Sequence, residues 1–194
     1  MRSEYREAER FERLTFTEET FYDCDFSDCT FVDCTFESCK LDHSVFTECQ
    51  FVRCTITGLK TTMSRAKFTD FEGCTLHNIE WMSLQGDGAF ADPIDHVKNC
   101  RLKYNTFTEM NLKKFRFAGN VIQRSMFAKC DLAGADFAHC DLQDTEFFQC
   151  DMRKADFTDA TGYKVDILGS KLQDAKFSLP EAVNLLSDLH IKLV

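Results

Sequence analysis

The chain has 194 residues, 44% of them hydrophobic and 28% charged, a balance that predicts one folded domain and excludes an intrinsically disordered chain. Its 23 Lys and Arg residues against 32 Asp and Glu give a net charge of −9, which disfavours nucleic acid or an anionic membrane as a direct partner. The sequence contains no apolar run as long as a bilayer span, and the opening MRSEYREAER lacks the apolar segment of a secretory signal. We therefore expect a cytoplasmic protein without a membrane anchor.

Large apolar residues recur every five positions along most of the chain. One run of this kind extends from Phe11 to Trp81, and a second extends from Leu102 to Phe177. The position that they occupy is called i below, and it holds 16 of the 20 Phe residues. The interruptions are Thr61 and Ala66 in the first run and Gly162 in the second.

The cysteines follow the same period. Each of the 11 lies two residues before a position i, and the other residues of this column are mostly small, such as Ser44 and Ala135. Between Cys24 and Trp81, and between Cys100 and Phe177, no Asp, Glu, Lys or Arg occupies i or i−2. Two columns are therefore expected to face a core, and the other three to face water.

A period of five fits neither regular element. An α-helix would spread residues five apart over all of its faces, and a flat strand would send them to opposite faces. The pattern fits a chain in which each five-residue segment is one short extended side followed by a corner, so that successive segments wind into a solenoid. Successive coils would then pair through their backbones at about 4.8 Å.

Two stretches, CDFSDCTFVDCTF and AKCDLAGADFAHCDL, resemble the pentapeptide-repeat family with its A(D/N)LXX consensus. The resemblance implies an all-β fold, a right-handed quadrilateral β-helix with four pentapeptides per coil. On that basis residues 1–177 would form one domain of about eight coils.

The five-residue frame breaks once within this domain, at about residues 82–99. Trp81 and Leu102 are 21 residues apart, one more than a coil of 20. The segment is predicted to be a loop or a distorted coil, and it is either a register repair or a partner-binding loop. The candidate loop residues are Gly86, Asp87, Gly88, Asp92 and Asp95.

Residues 178–194 are predicted to form a separate C-terminal module. Ser178 and Glu181 have the spacing of a capping box, so a short helix is expected, followed by an extended apolar tail. The module would cap the solenoid by simple burial or by dimerisation. It is similar to the ends of the Qnr, albicidin-resistance and microcin-immunity proteins, which implies a two-fold homodimer. The residues expected at that interface are Leu185, Leu186, Leu189, Ile191, Leu193 and Val194.

Motifs for catalysis or metal binding are absent from the sequence. The cysteines are spaced in multiples of five without CxxC, the five His residues form no HExxH, and Gly86–Gly88 lacks the lysine of a phosphate-binding loop. Buried, reduced thiols are expected. We predict a protein that is not an enzyme and that needs no cofactor and no metal.

Acidic residues are concentrated on predicted corners. In residues 129–159 the position i−1 is acidic on six successive sides: Asp131, Asp136, Asp141, Glu146, Asp151 and Asp156. These residues either cap turns and keep the protein soluble, or form a surface that binds a partner. The resemblance to Qnr-type proteins implies the second, a DNA mimic that binds DNA gyrase or topoisomerase IV and protects it from quinolone-like or natural-product poisons. The alternative is an interaction scaffold with another protein partner.

Overall fold

The computed structural model describes residues 1–85, 92–189 and 191. These residues form two compact units, Met1–Asn105 and Thr106–Val194. Short parallel β-strands wind into a β-solenoid in each unit, and the chain has about eight solenoid turns in total. The predicted all-β pentapeptide solenoid is confirmed.

The described residues of the first unit form 17 strands and one 3₁₀ helix, and nearly every strand is a three-residue segment centred on a position i. The strands are β1 (Tyr5–Glu7), β2 (Arg10–Glu12), β3 (Thr15–Thr17), β4 (Thr20–Tyr22), β5 (Asp25–Ser27), β6 (Thr30–Val32), β7 (Thr35–Glu37), β8 (Lys40–Asp42), β9 (Val45–Thr47), β10 (Gln50–Val52), β11 (Thr55–Thr57), β12 (Lys60–Thr62), β13 (Arg65–Lys67), β14 (Thr69–Glu72), β15 (Thr75–His77), β16 (Ile94–Lys98) and β17 (Arg101–Lys103). The 3₁₀ helix spans Trp81–Leu84.

Four parallel ladders make the four sides of this solenoid. Strands pair with the strand one coil away, 20 residues along the chain, as Phe31 opposite Phe51 illustrates. The ladders are β1–β5–β9–β13, β2–β6–β10–β14–β16, β3–β7–β11–β15–β17 and β4–β8–β12. The predicted four segments per coil follow directly from this 20-residue register.

The corners are set by a left-handed backbone at position i+2. Non-glycine residues such as Asp23, Asp28 and Glu48 have φ angles of 53–54° there, and Gly58 and Gly73 occupy the same column. This conformation turns the chain from one side into the next, but it is costly for most L-residues. Asp, Asn and Gly tolerate it best, which explains part of their frequency at these corners.

The core is a set of stacked phenylalanine columns. Phe31 stacks on Phe11 and on Phe51 with ring centroids 4.9 Å apart on each side. All 11 cysteines are buried free thiols, as predicted. Their side chains also form weak hydrogen bonds: Cys39 Sγ donates to the Phe16 carbonyl at 3.3 Å, and Ser44 Oγ donates to that of Phe21 at 3.0 Å. Small volume is what most residues of the i−2 column share, since Ala135 and Ala155 are buried there as well, and Cys and Ser add a donor.

The frame break is larger than the single residue expected from the sequence. Phe71 lies opposite Val97 and Leu76 opposite Leu102, so two ladders continue across it with a step of 26 residues instead of 20. The insertion is therefore six residues long, which is one complete five-residue side and one further residue. The 3₁₀ helix packs against β12 and β13, and Trp81 is buried with its indole N–H donated to Asn105 Oδ1 at 3.1 Å.

The second unit has less regular strands, which range from two to eight residues in length. They are β18 (Thr106–Thr108), β19 (Val121–Gln123), β20 (Met126–Ala128), β21 (Asp141–Phe148), β22 (Asp156–Phe157), β23 (Thr161–Val165) and β24 (Lys176–Phe177). Single bridges complete the ladders between them, for example Asp131 with Asp151. Phe137 is fully buried between Phe117 and Phe157, 4.8 Å from each.

One coil of the second unit departs from the predicted frame. Phe147 lies opposite Val165, a step of 18 residues, so Tyr163 and Val165 fill the core where Gly162 and Ile167 were expected. Gly162 has a φ of +75°, and a Cβ there would lie 2.6 Å from Gln143 Cα. Glycine is therefore required at this point, and the prediction for Ile167, which is only half-buried, is wrong.

The last described element of the second unit is a 3₁₀ helix, Glu181–Leu189. The predicted capping box is wrong, because both of its side chains bind the preceding coil instead. Ser178 Oγ accepts the Asp159 N–H at 3.1 Å, and Glu181 Oε1 accepts the Gly162 N–H at 2.7 Å. Within the described ranges, no helix is both long and apolar enough to cross a bilayer.

Candidate protein-binding surfaces

The six predicted carboxylates of the second unit do not form one surface. Asp131 bridges to Asp151, and Asp136 bridges to Asp156, so these two pairs are stacked as the 20-residue coil requires. Asp141 and Glu146 belong to two other ladders. Six successive sides must wrap around a four-sided coil, and the carboxylates are therefore distributed over all four sides.

Most of these carboxylates cap their own corners. Asp131 Oδ1 accepts the Ala133 N–H at 3.1 Å, and Asp136 Oδ1 accepts the Ala138 N–H at 3.0 Å. Asp141, Asp151 and Asp156 make the same bond to the residue two positions on. This is the Asx turn, in which a carboxylate replaces a backbone acceptor at the start of a turn. The capping role left open by the sequence is present at five of the six positions.

Cations also neutralise several of them. Asp131 pairs with Lys113 at 3.1 Å, and Asp151 pairs with Arg153 at 2.6 Å. The hydrogen bond from Thr158 and the ion pair with Lys176 lower the pKa of Asp156 to about 2. Glu146 is exposed and has no ion pair within the described residues. The surface charge of this region is therefore balanced locally at three of the six predicted positions, Asp131, Asp151 and Asp156.

A different acidic surface lies in the first unit. The stretch from Leu14 to Cys39 contains seven acidic residues and no Lys or Arg. Around strands β1, β5 and β9 this gives a group of exposed carboxylates, here named the N-terminal acidic surface. Its members are Glu7, Asp23, Asp25, Asp28 and Glu48.

These five carboxylates have no Lys or Arg partner within the part of the chain that the structure describes. Their hydrogen bonds are to neutral groups: Glu7 accepts from the Tyr5 hydroxyl at 2.8 Å and Asp23 from the Ser3 hydroxyl at 3.2 Å. Asp28 and Glu48 occupy the same corner in successive coils. Arg65 and Lys67 on β13 mark where the surface ends. The gap in basic residues was visible in the sequence, but the 20-residue register is needed to gather these residues on one side.

The structure describes only two of the five predicted loop residues, Asp92 and Asp95. Gly86, Asp87 and Gly88 lie outside the described residues. Asp92 is half-buried, burial raises the pKa of its carboxyl, and its carbonyl accepts the Phe68 N–H at 3.1 Å. Asp95 is exposed beside His96.

The C-terminal candidates differ in exposure. Leu185 and Leu186 are half-buried, whereas Leu189 is 42% and Ile191 54% exposed. Leu179 and Val183 add to the exposed apolar area at this end of the second unit. Leu193 and Val194 lie outside the described residues.

Comparison with known proteins places the fold in a family. Two family models match the chain, one for pentapeptide repeats in eight copies over residues 21–58 and one for a pentapeptide repeat region over residues 98–177. The chain belongs to the pentapeptide-repeat family. A comparison with curated protein sequences finds no match.

Solved structures similar to this pentapeptide-repeat protein include a trypsin-treated variant of QnrB1, a plasmid-mediated fluoroquinolone resistance protein. It is 17% identical with a TM-score of 0.58, over 100% of this chain and 98% of that one. Full-length QnrB1 is 19% identical with a TM-score of 0.47, over 96% and 100% of the two chains. HetL, involved in heterocyst differentiation regulation in the cyanobacterium Nostoc sp. strain PCC 7120, is 11% identical with a TM-score of 0.48, over 90% and 87%. At this identity, the likeness to the QnrB1 variant is one of fold.

Proposed function

We propose that this pentapeptide-repeat protein is a non-catalytic DNA mimic that binds a type II topoisomerase, DNA gyrase or topoisomerase IV, and protects it from quinolone-like or natural-product poisons. The observation that carries the proposal is the N-terminal acidic surface. Its carboxylates are exposed and have no cationic partner among the described residues. A protein groove that binds DNA presents cations, and carboxylates that are not already paired are the groups that attract it.

The charge density of the first unit supports the proposal. Residues 12–80 hold 13 acidic and 6 basic side chains, a net charge of −7. These 69 residues make about 3.4 coils, so at about 4.8 Å per coil there is roughly one net negative charge per 2.4 Å of solenoid axis. Duplex DNA carries one per ~1.7 Å, which is the same order.

The likeness of fold to a fluoroquinolone resistance protein supports this class of partner. The exposed apolar residues of the C-terminal module are the proposed homodimer contact, since a two-fold dimer matches a two-fold enzyme. The corner carboxylates of the second unit are proposed to contribute less to binding, because turn N–H groups and neighbouring cations already engage them.

The second candidate function is that of an interaction scaffold for a different protein. It is favoured by the local balance of charge in the second unit, where Asp131, Asp151 and Asp156 each have a cationic partner. A fold alone does not fix a function.

A binding experiment followed by an activity assay tests the proposal. The purified chain is used to capture purified gyrase and topoisomerase IV, and supercoiling or decatenation is then measured with and without a poison. We expect capture of at least one enzyme, competition by duplex DNA, and recovery of activity in the presence of the poison. Failure to bind either enzyme would contradict the proposal and favour the scaffold.

A further inference from the structure

Three potential metal ligands lie close together where the ladders of the first unit resume after the insertion. Asp70, on strand β14, and Asp95 and His96, on strand β16, place one ligand atom each within 4.8 Å of one another. The His96 ring nitrogen Nδ1 lies 2.9 Å from Asp70 Oδ1 and 3.3 Å from Asp95 Oδ2. No motif in the sequence indicated this group, because Asp70 is 26 residues from His96.

A β-bulge brings the three side chains together. Thr69 lies opposite Ile94 and Asp70 opposite His96, so Asp95 is the extra residue and has no partner on β14. In a regular strand Asp95 and His96 would point to opposite faces. At a bulge two successive residues oppose one, and here both are exposed on the outer side. The backbone register, and not side-chain flexibility, fixes the three ligands on one surface.

The local charges favour a cation at this position. Two carboxylates, Asp70 and Asp95, converge on the imidazole of His96. The nearest basic residue on β16, Lys98, pairs with Glu72 at 3.4 Å. A divalent ion bound here would compensate both carboxylates at once.

The distances suit a small divalent ion. Zinc binds histidine nitrogen and carboxylate oxygen at about 2.0–2.2 Å in tetrahedral geometry, which requires ligand atoms about 3.3–3.6 Å apart. The separations of His96 Nδ1 from Asp70 Oδ1 and Asp95 Oδ2, 2.9 and 3.3 Å, are close to that value. With one nitrogen and two oxygens, the donor set fits Zn²⁺ and other borderline first-row ions better than Ca²⁺ or Mg²⁺, which prefer all-oxygen sites.

We propose that Asp70, Asp95 and His96 form a surface site for a first-row divalent metal ion, with Zn²⁺ the preferred occupant and water completing the coordination. Metal at this site would tie β16, at the end of the insertion, to β14. The site is independent of the proposed function, because none of its residues belongs to the N-terminal acidic surface.

Calorimetric titration of the tag-free, reduced chain with ZnCl₂ tests the site. We expect one ion per chain and a rise in melting temperature with added zinc. The bound zinc ion and the rise in melting temperature should both be lost in His96→Gln and in Asp70→Asn. Without metal, the melting temperatures of these variants should equal that of the wild type. The matched control is His139→Gln, which removes an exposed histidine 3.5 Å from a single carboxylate, Asp159.

Two outcomes would overturn the proposal. One is the absence of zinc binding by the wild type at zinc concentrations up to about 10⁻³ M, which is the dissociation constant of a weak extracellular metal site. The other is binding that survives His96→Gln and Asp70→Asn, which would assign the ion to other residues. A loss in His139→Gln equal to the loss in His96→Gln would likewise contradict a site built from these three ligands.

Discussion

At the scale of single residues, each column of the pentapeptide has its own physical requirement. Position i fills the core, as Phe137 does between two stacked rings. Position i−2 favours a small side chain, and Cys39 and Ser44 there also donate to the neighbouring coil. Position i+2 needs a left-handed backbone. The inward direction of i and i−2 was predictable from periodicity, whereas the hydrogen bonds of Cys and Ser and the left-handed corners depend on geometry that a composition pattern does not reveal.

Removing a core ring should be severe. Phe137→Ala leaves a cavity between Phe117 and Phe157, and we expect it to lower the free energy of unfolding by about 3–5 kcal/mol. The control is Asp144→Asn, at a half-buried corner where only the surface ion pairs with Lys164 and Arg124 are lost, and a change below about 1 kcal/mol is expected. Denaturant unfolding measures both. Equal stabilities of the two variants would contradict the inward assignment of position i.

The left-handed corners give a second prediction. Gly119 has a φ of +74°, and a Cβ added there would meet no atom within 4 Å. Gly119→Ala should therefore destabilise the protein through backbone strain alone, by about 1–2 kcal/mol. Gly119→Asn should cost less, because asparagine tolerates this conformation. If thermal unfolding shows that Ala is tolerated as well as Asn, strain does not govern these corners.

At the scale of elements, the sequence predicted the regular sides well and the irregular ones poorly. Every five-residue segment looks alike, so the 20-residue coil and its ladders follow from the period together with the family resemblance. The insertion was underestimated because one full side of five residues leaves the period unchanged, and only the sixth residue is visible as a break. The 18-residue step near Tyr163 was missed for a similar reason, since apolar residues two positions off the frame can fill the same core.

The C-terminal 3₁₀ helix supports a prediction about assembly. The exposed Leu189 and Ile191 are the candidates for a two-fold contact. Replacing both with Asp should leave the solenoid folded but convert a particle of about twice 22.4 kDa into a monomer, as measured by light scattering. The matched control is Met63→Asp in the first unit, another exposed apolar residue. A wild-type monomer at high micromolar concentration would contradict the dimer.

At the scale of the whole molecule, the two units differ in how their carboxylates are arranged and paired with cations, and this difference is larger than the sequence suggested. The sequence drew attention to the six i−1 carboxylates of the second unit, because they recur without interruption. The structure distributes them over four sides and pairs several with cations. The exposed carboxylates around Asp25 were less regular in the sequence, and only the stacking of coils brings them onto one side.

Two quadruple variants with the same change of net charge test the proposed DNA mimicry most directly. The first carries Asp23→Asn, Asp25→Asn, Asp28→Asn and Glu48→Gln, and the second carries Asp131→Asn, Asp136→Asn, Asp151→Asn and Asp156→Asn. The amide oxygen of Asn can still accept the turn hydrogen bond and Asn tolerates a left-handed backbone, so both variants should fold.

The measurement is the affinity of each variant and of the wild type for gyrase, at about 50 and 200 mM salt. We predict that wild-type binding weakens steeply with salt, that the first variant loses most of the affinity and of its salt dependence, and that the second loses much less. Salt screens many exposed charge pairs at once, which gives this dependence its physical basis. Equal losses in the two variants, or wild-type binding that does not change with salt, would contradict a specific acidic surface that replaces DNA.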